Sequence, residues 1–155
     1  MKELSYLLPR KFRFMGFILA FFGTILGIMR YYFGIKPDLF DQKVFAIYSV
    51  YLKTKTLKIE SNQLIEEISG VLLIIGLFMI AFAREKIENP QVNSIRLKAF
   101  LISFYINTIF LIVSISFTFG LAFIYMTIIN LVSQLIIYII AFRILIVIQK
   151  DINPI

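Results

Sequence analysis

The sequence predicts an all-α membrane protein: an antiparallel bundle of four transmembrane helices, amino and carboxy termini both cytoplasmic, with a small extracytoplasmic β-like loop between helices 1 and 2. Three observations lead there. Hydrophobic residues fill 60% of the 155 positions and mean hydropathy is +0.90, above the roughly 45–50% apolar content of soluble domains. These residues gather into long runs almost free of charge, which is how a bilayer-spanning chain reads. The Lys and Arg residues flank the runs unevenly, which sets an orientation.

The first run, residues 14 to 33, measures about 30 Å at 1.5 Å per residue and suffices for one crossing. Arg10, Lys11 and Arg13 precede it. It continues through Tyr31 and Phe33 without a small-x-small cleavage site, so it reads as a retained anchor rather than a signal peptide. Gly23 and Gly27 form a small-xxx-small pair that would let another helix approach, in this chain or in a homo-oligomer. Arg30, followed by Tyr31 and Tyr32, falls at the far surface, where it either snorkels into an aromatic belt or pairs with Glu67.

Residues 36 to 66 are too few to build a core of their own. The stretch from Val44 to Glu60 is rich in β-branched and aromatic residues, so a hairpin turning near residues 53–56 is expected. It is either a folded connector capping the bundle or a docking edge that pairs with another chain.

The second run, residues 68 to 83, spans only about 24 Å and needs extension by neighbouring turns. Ser61 or Asn62 is a candidate cap for that extension, with Glu66 and Glu67 complementing its first turns, which puts the span at about 66–84. From Ala99 to Phe142 no residue is charged. One helix of that length would measure about 66 Å, so the run must fold back. Gly120 is the expected break, giving helices at about 96–119 and 121–145.

Lys2, Arg10, Lys11, Arg13, Arg84, Lys86, Arg96, Lys98, Arg143 and Lys150 all fall on one side of this arrangement. By the positive-inside rule that side is cytoplasmic, in a bacterial inner membrane. The net charge of +7 is then a topology signal, and no direct nucleic-acid partner is needed to explain it.

Helix three carries Ser103, Asn107, Ser114 and Thr118 on one face, and helix four carries Thr127, Asn130, Gln134 and Tyr138 on one face. A hairpin turning at Gly120 and Leu121 would set residues whose numbers sum to 241 at equal depth, so Ser103 would meet Tyr138, Asn107 would meet Gln134 and Ser114 would meet Thr127. The stripe reads either as interhelical glue or as the lining of a path for a small solute.

Between the second and third spans, at about 85–95, lies the densest mixture of charges. Arg84, Glu85, Lys86 and Glu88 are expected to continue helix two until Pro90 interrupts it, with Asn93 or Ser94 capping helix three. Arg84, Glu85, Glu88 and Arg96 form either a locally paired charged hairpin or a docking surface for a cytoplasmic protein.

The chain has no Cys, no His and no Trp. Thiol and imidazole chemistry is therefore impossible within it, and no catalytic residue, metal site or cofactor is expected. Asp38, Asp41, Glu60, Glu66 and Glu67 are the carboxylates of the opposite side, and their spacing matches no catalytic pattern.

Arg84-Glu85-Lys86-Ile87-Glu88, followed by Ile95-Arg96-Leu97, resembles a family of small four-helix membrane proteins of Bacteroidota that has no assigned activity. The resemblance spans residues 68 to 145 and touches residues 44–49; Asn89, Pro90 and Gln91 depart from it where an acidic residue is expected. Genes of this type sit beside small helix-turn-helix regulators, so the resemblance implies a membrane component of a regulatory pair. The expected function is a non-catalytic membrane interaction or regulatory protein. The alternatives are a small oligomeric transporter or channel subunit and a lipid-acting membrane enzyme.

Overall fold

A computed structural model describes residues 7–35, 37, 40–50 and 54–152, with backbone alone for 42–50, 54–63, 121 and 150–152. The elements follow in the order α1 (Lys11–Tyr31), β1 (Asp41–Val50), β2 (Thr54–Gln63), α2 (Ile65–Phe82), α3 (Pro90–Phe117) and α4 (Leu121–Ile152). All four helices are long and apolar enough to cross a membrane. Their 21, 18, 28 and 32 residues correspond to about 32, 27, 42 and 48 Å, so α3 and α4 exceed a hydrocarbon core of about 30 Å. The chain is a multi-pass membrane protein, and the large side chains left exposed along its helices, such as Phe14, Phe21, Ile109 and Leu131, are those a lipid environment accepts.

Contacts within the chain gather into two compact units, Met1–Phe17 with Gly76–Ile155, and Ile18–Ile75. The first is organised by the α3–α4 hairpin. Its core is Ala81, Val92, Ile95, Ala99, Tyr138 and Phe142, with Phe82, Leu135 and Ile139 packed around them. Small residues at Ala81 and Ala99 make room for a column of rings: Tyr138 stacks on Phe82 at 5.8 Å and on Phe142 at 6.0 Å between centroids. Tyr138 thus contributes its ring to the core of this unit.

Two expectations about this unit are corrected. First, α2 stops at Phe82 and α3 begins at Pro90, so Arg84, Glu85, Lys86 and Glu88 lie in an irregular connection rather than on a continued helix. The cap explains the shift: the Asn89 side chain accepts from the Val92 N–H at 2.8 Å, and Pro90 takes the first helical position, where its missing N–H costs nothing. Neither Asn93 nor Ser94 is the cap; both lie inside α3. Second, α3 ends at Phe117, and Thr118 closes it by donating its N–H to the Ser114 carbonyl at 3.0 Å. Gly120, at φ +63°, then supplies the left-handed residue before α4. The hairpin centre therefore falls before Gly120, earlier than the expected turn. The connection after α2 is also fastened to the chain's beginning, because the Leu8 N–H donates to the Phe82 carbonyl and the Arg84 N–H donates to the Leu8 carbonyl, at 3.0 and 2.9 Å.

In the second unit α1 and α2 run antiparallel. A Cβ on Gly23 would meet the Leu73 nitrogen at 2.6 Å and the Ser69 carbonyl at 2.9 Å, so backbone approaches backbone there. Gly27 has only the Ser69 hydroxyl, at 4.0 Å. The small face at Gly23 is therefore occupied by α2 of the same chain. Gly34, at φ +65°, lets the chain turn off α1, with the Ile35 N–H returning to the Met29 carbonyl at 3.1 Å. Strands β1 and β2 pair antiparallel from Asp41↔Gln63 to Val50↔Thr54, and the Leu64 N–H bonds to the Phe40 carbonyl at 2.9 Å below them. The expected hairpin is present, and its register centres on residue 52, just before the expected turn. Residues 51–53, which include the start of the expected turn, lie outside the described residues. Ser61 and Asn62 belong to β2 and do not cap α2, which starts at Ile65.

Candidate functional site

The polar groups of the first unit collect in two places, and the denser is a cluster of arginines and glutamates around the α2–α3 connection. Arg13 grips Glu85 with both terminal nitrogens, one to each carboxylate oxygen. Arg143, from α4, reaches Glu85 Oε1 at 3.1 Å. The Glu85 main-chain N–H donates to Glu88 Oε1 at 2.6 Å, and the same oxygen accepts from Arg96 Nη2 at 2.6 Å. Arg96 is buried, its Nη2 also 3.5 Å from the Ala83 carbonyl and its guanidinium 4.8 Å from the Phe142 ring centre. Its Nε and Nη1, and Nε of Arg13, are buried without a hydrogen-bond partner. A buried guanidinium is tolerated here because a carboxylate, a carbonyl and an aromatic face share the desolvation cost.

Burial alone raises the Glu85 carboxyl. The hydrogen bond from Arg13 and the charges of Arg143, Arg13 and Arg96 outweigh that effect and hold the group below its ordinary value of 4.5. Glu85 is thus an anion among cations and poorly suited to act as an acid or base near neutral pH.

The second place is the α3–α4 contact. Asn107 Nδ2 donates to Asn130 Oδ1 at 3.4 Å, and Asn130 Nδ2 returns bonds to the Asn107 side-chain and main-chain oxygens at 3.3 and 3.2 Å. The Ser133 hydroxyl lies within reach of Asn107 Oδ1 and, at 2.8 Å, of the Asn130 carbonyl. Gln134 donates to Ser103 at 3.2 Å, and Ser103 donates to the Phe100 carbonyl. The Asn107–Asn130 and Ser103–Gln134 pairs sum to 237 and not 241: the helices meet about one turn away from the expected register, because the turn is centred earlier. Asn107 therefore meets Asn130 in place of Gln134, and Ser103 meets Gln134 in place of Tyr138. Ser114 and Thr127 do not pair with each other. Their hydroxyls bond to carbonyls one turn back on their own helices, Phe110 and Phe123, as Thr24, Thr108 and Ser116 do.

In the second unit Arg30 pairs with Glu66, its Nε donating at 2.7 Å, so the ion pair expected with Glu67 involves the preceding residue. The Arg84 side chain has no carboxylate partner among the described residues; its main chain holds Leu8. Among the described residues no three of Asp, Glu, His and Cys gather as metal ligands. Asp38 lies outside the described residues.

Sequence reasoning missed Asn89, Ser133 and the central role of Arg13 and Arg143. The last was visible as the first charge after an uncharged run from Ala99 to Phe142, a position from which a lone arginine must find an anion or the membrane surface. No protein-family model, characterised protein or solved structure matches the chain.

Proposed function

We propose that the chain is a non-catalytic interaction protein of the bacterial inner membrane, with both termini cytoplasmic, which presents its α2–α3 connection to a cytoplasmic protein. One observation carries this reading. The connection is held from three directions, by the Leu8 backbone bonds, by Arg13 and Arg143 on Glu85, and by Arg96 on Glu88, and its exposed apex is Lys86 with Ile87, the latter 57% exposed. A rigid loop offering an apolar side chain beside a cation needs little ordering on binding, which favours affinity. The Lys and Arg residues beside the connection support the orientation. Glu85, Glu88 and Arg96, candidates for direct docking by sequence, hold the loop's shape instead. The amides at Asn107 and Asn130 bond to each other across the hairpin, which supports glue over a solute path.

The test is purification of the tagged full-length protein from its native membranes in gentle detergent, with native mass measurement. A stoichiometric protein partner that is lost in Ile87→Asp, while the variant's melting temperature is unchanged, is the expected result. A chain that comes out alone or as a homo-oligomer, or a partner indifferent to Ile87→Asp, overturns the reading.

A further inference from the structure

Three guanidinium groups, Arg13, Arg96 and Arg143, surround two carboxylates, Glu85 and Glu88, so the cluster carries one unneutralised positive charge. The surplus is localised. Arg96 is sealed in, its side chain 9% exposed, and has Glu88; Arg13 takes both oxygens of Glu85. Arg143 shares an oxygen that Arg13 already occupies, and its side chain is 43% exposed. A guanidinium has five N–H donors in a planar fork, and the contact at Glu85 engages one nitrogen of a side chain that is 43% exposed, so donors remain for a second anion.

The surroundings of Arg143 say what meets those donors. On the helix face of Arg143, Ile140 three residues before and Val147 four after are 52% and 59% exposed, and the adjacent Ile144 is 53% exposed. A face of that kind lies against acyl chains. From Leu121, where α4 starts, to Arg143 the rise is about 33 Å, close to the thickness of the hydrocarbon core. Arg143 therefore reaches the level of the lipid phosphates, anchored from behind by Glu85 and flanked by apolar side chains that can hold the lipid tail.

We propose that the exposed fork of Arg143, oriented by Glu85 and carrying the surplus positive charge of the cluster, is a binding site for the phosphate of an anionic phospholipid. The chemistry recognised is a phosphate oxyanion by a planar guanidinium, bidentate where the fork is free. The neighbouring Ile140 and Val147 select a phosphate that carries acyl chains over the free ion. The site does not depend on the protein partner proposed above.

The test uses the full-length protein in dodecyl maltoside, with native mass spectrometry to count retained lipids on titration with phosphatidylglycerol or phosphatidylcholine. The expected result is one phosphatidylglycerol held at least about tenfold more tightly than phosphatidylcholine, which offers the same phosphate but with it a trimethylammonium group that the surplus positive charge of the cluster repels. Arg143→Gln should remove that preference, and Arg143→Lys should leave part of it. Lys11→Gln, which deletes an exposed charge at the start of α1, should lower affinity by no more than about twofold, the scale of an exposed charge. Equal losses in Arg143→Gln and Lys11→Gln, or equal binding of the two lipids by the unmodified protein, would overturn the site. Displacement of bound phosphatidylglycerol by millimolar inorganic phosphate would assign the site to the free ion and overturn the lipid.

Discussion

Asn130 donates through one nitrogen to two oxygens of Asn107, side chain and main chain, at 3.3 and 3.2 Å. This clasp ties the register of α3 to α4, because sliding one helix past the other by a turn breaks all of these bonds at once. In hydrocarbon an unreturned amide costs more than a mispacked methyl group. Asn130→Leu should therefore destabilise the hairpin by about 0.6–2 kcal/mol. The double variant with Asn107→Leu should recover part of that loss. Reversible unfolding in mixed detergent micelles measures both, and a double variant no more stable than the sum of the singles would refute the coupling.

The depressed value of the Glu85 carboxyl gives stability a pH dependence with a definite sign. The folded value lies below the ordinary 4.5, so the ion's contribution is fully present above about 4.5 and is lost as the pH falls through the folded value. Melting temperature in detergent should hold steady above pH 5 and fall more steeply below pH 4 in the unmodified protein than in Glu85→Gln. At neutral pH that variant should itself be less stable by about 2–3 kcal/mol, since Arg13 and Arg143 lose a shared anion. A steeper acid loss in the variant would show the sign to be wrong.

The glycines of α1 and α2 should divide by what they touch. Gly23→Ala drives a Cβ into the backbone of α2, and about 1–3 kcal/mol is the expected cost. Gly27→Ala meets nothing closer than 4.0 Å and Gly70→Ala nothing within 4 Å, so the better helix propensity of Ala should leave them neutral or stabilised by up to about 1 kcal/mol. Thermal melts of the three variants rank them directly.

Capping gives a further comparison. Asn89→Ala should cost about 0.5–2 kcal/mol, the range for loss of an N-cap. Ser94→Ala, at an exposed site inside α3, should change stability by less than about 0.5 kcal/mol. Equal effects would place the start of α3 at Ser94 after all.

Spans and break were legible because the signals are large: charge-free runs longer than a membrane is thick, and a glycine in the middle of the longest. The register was not. The offset between Asn107 facing Gln134 and Asn107 facing Asn130 is a single turn, and it depends on whether Phe117 or Phe119 ends α3, a choice made by one hydroxyl-bearing residue, Thr118. The start of α3 was missed for a related reason. Pro90 reads equally well as a helix stop and as a first helical residue, and the Asn before it decides between them. Arg30 choosing Glu66 over Glu67 is a rotation of about 100° on α2, which helix–helix packing sets and hydrophobic patterning does not. The Arg13–Glu85–Arg143 association joins three distant stretches of chain, and nothing local encodes it.

The two backbone bonds between Leu8 and the residues flanking Ala83 bear on the order in which this chain can be built. While a ribosome is still producing α1, the acceptor at Phe82 and the donor at Arg84 do not exist, so the leading segment has nothing to fasten to. It is secured only once the second helix has been synthesised and has brought its end back to the side where the chain began. The segment before α1 and the end of α2 are thus fastened together only after both helices have been made. Arg143, arriving last, joins Arg13 on Glu85 and closes the assembly.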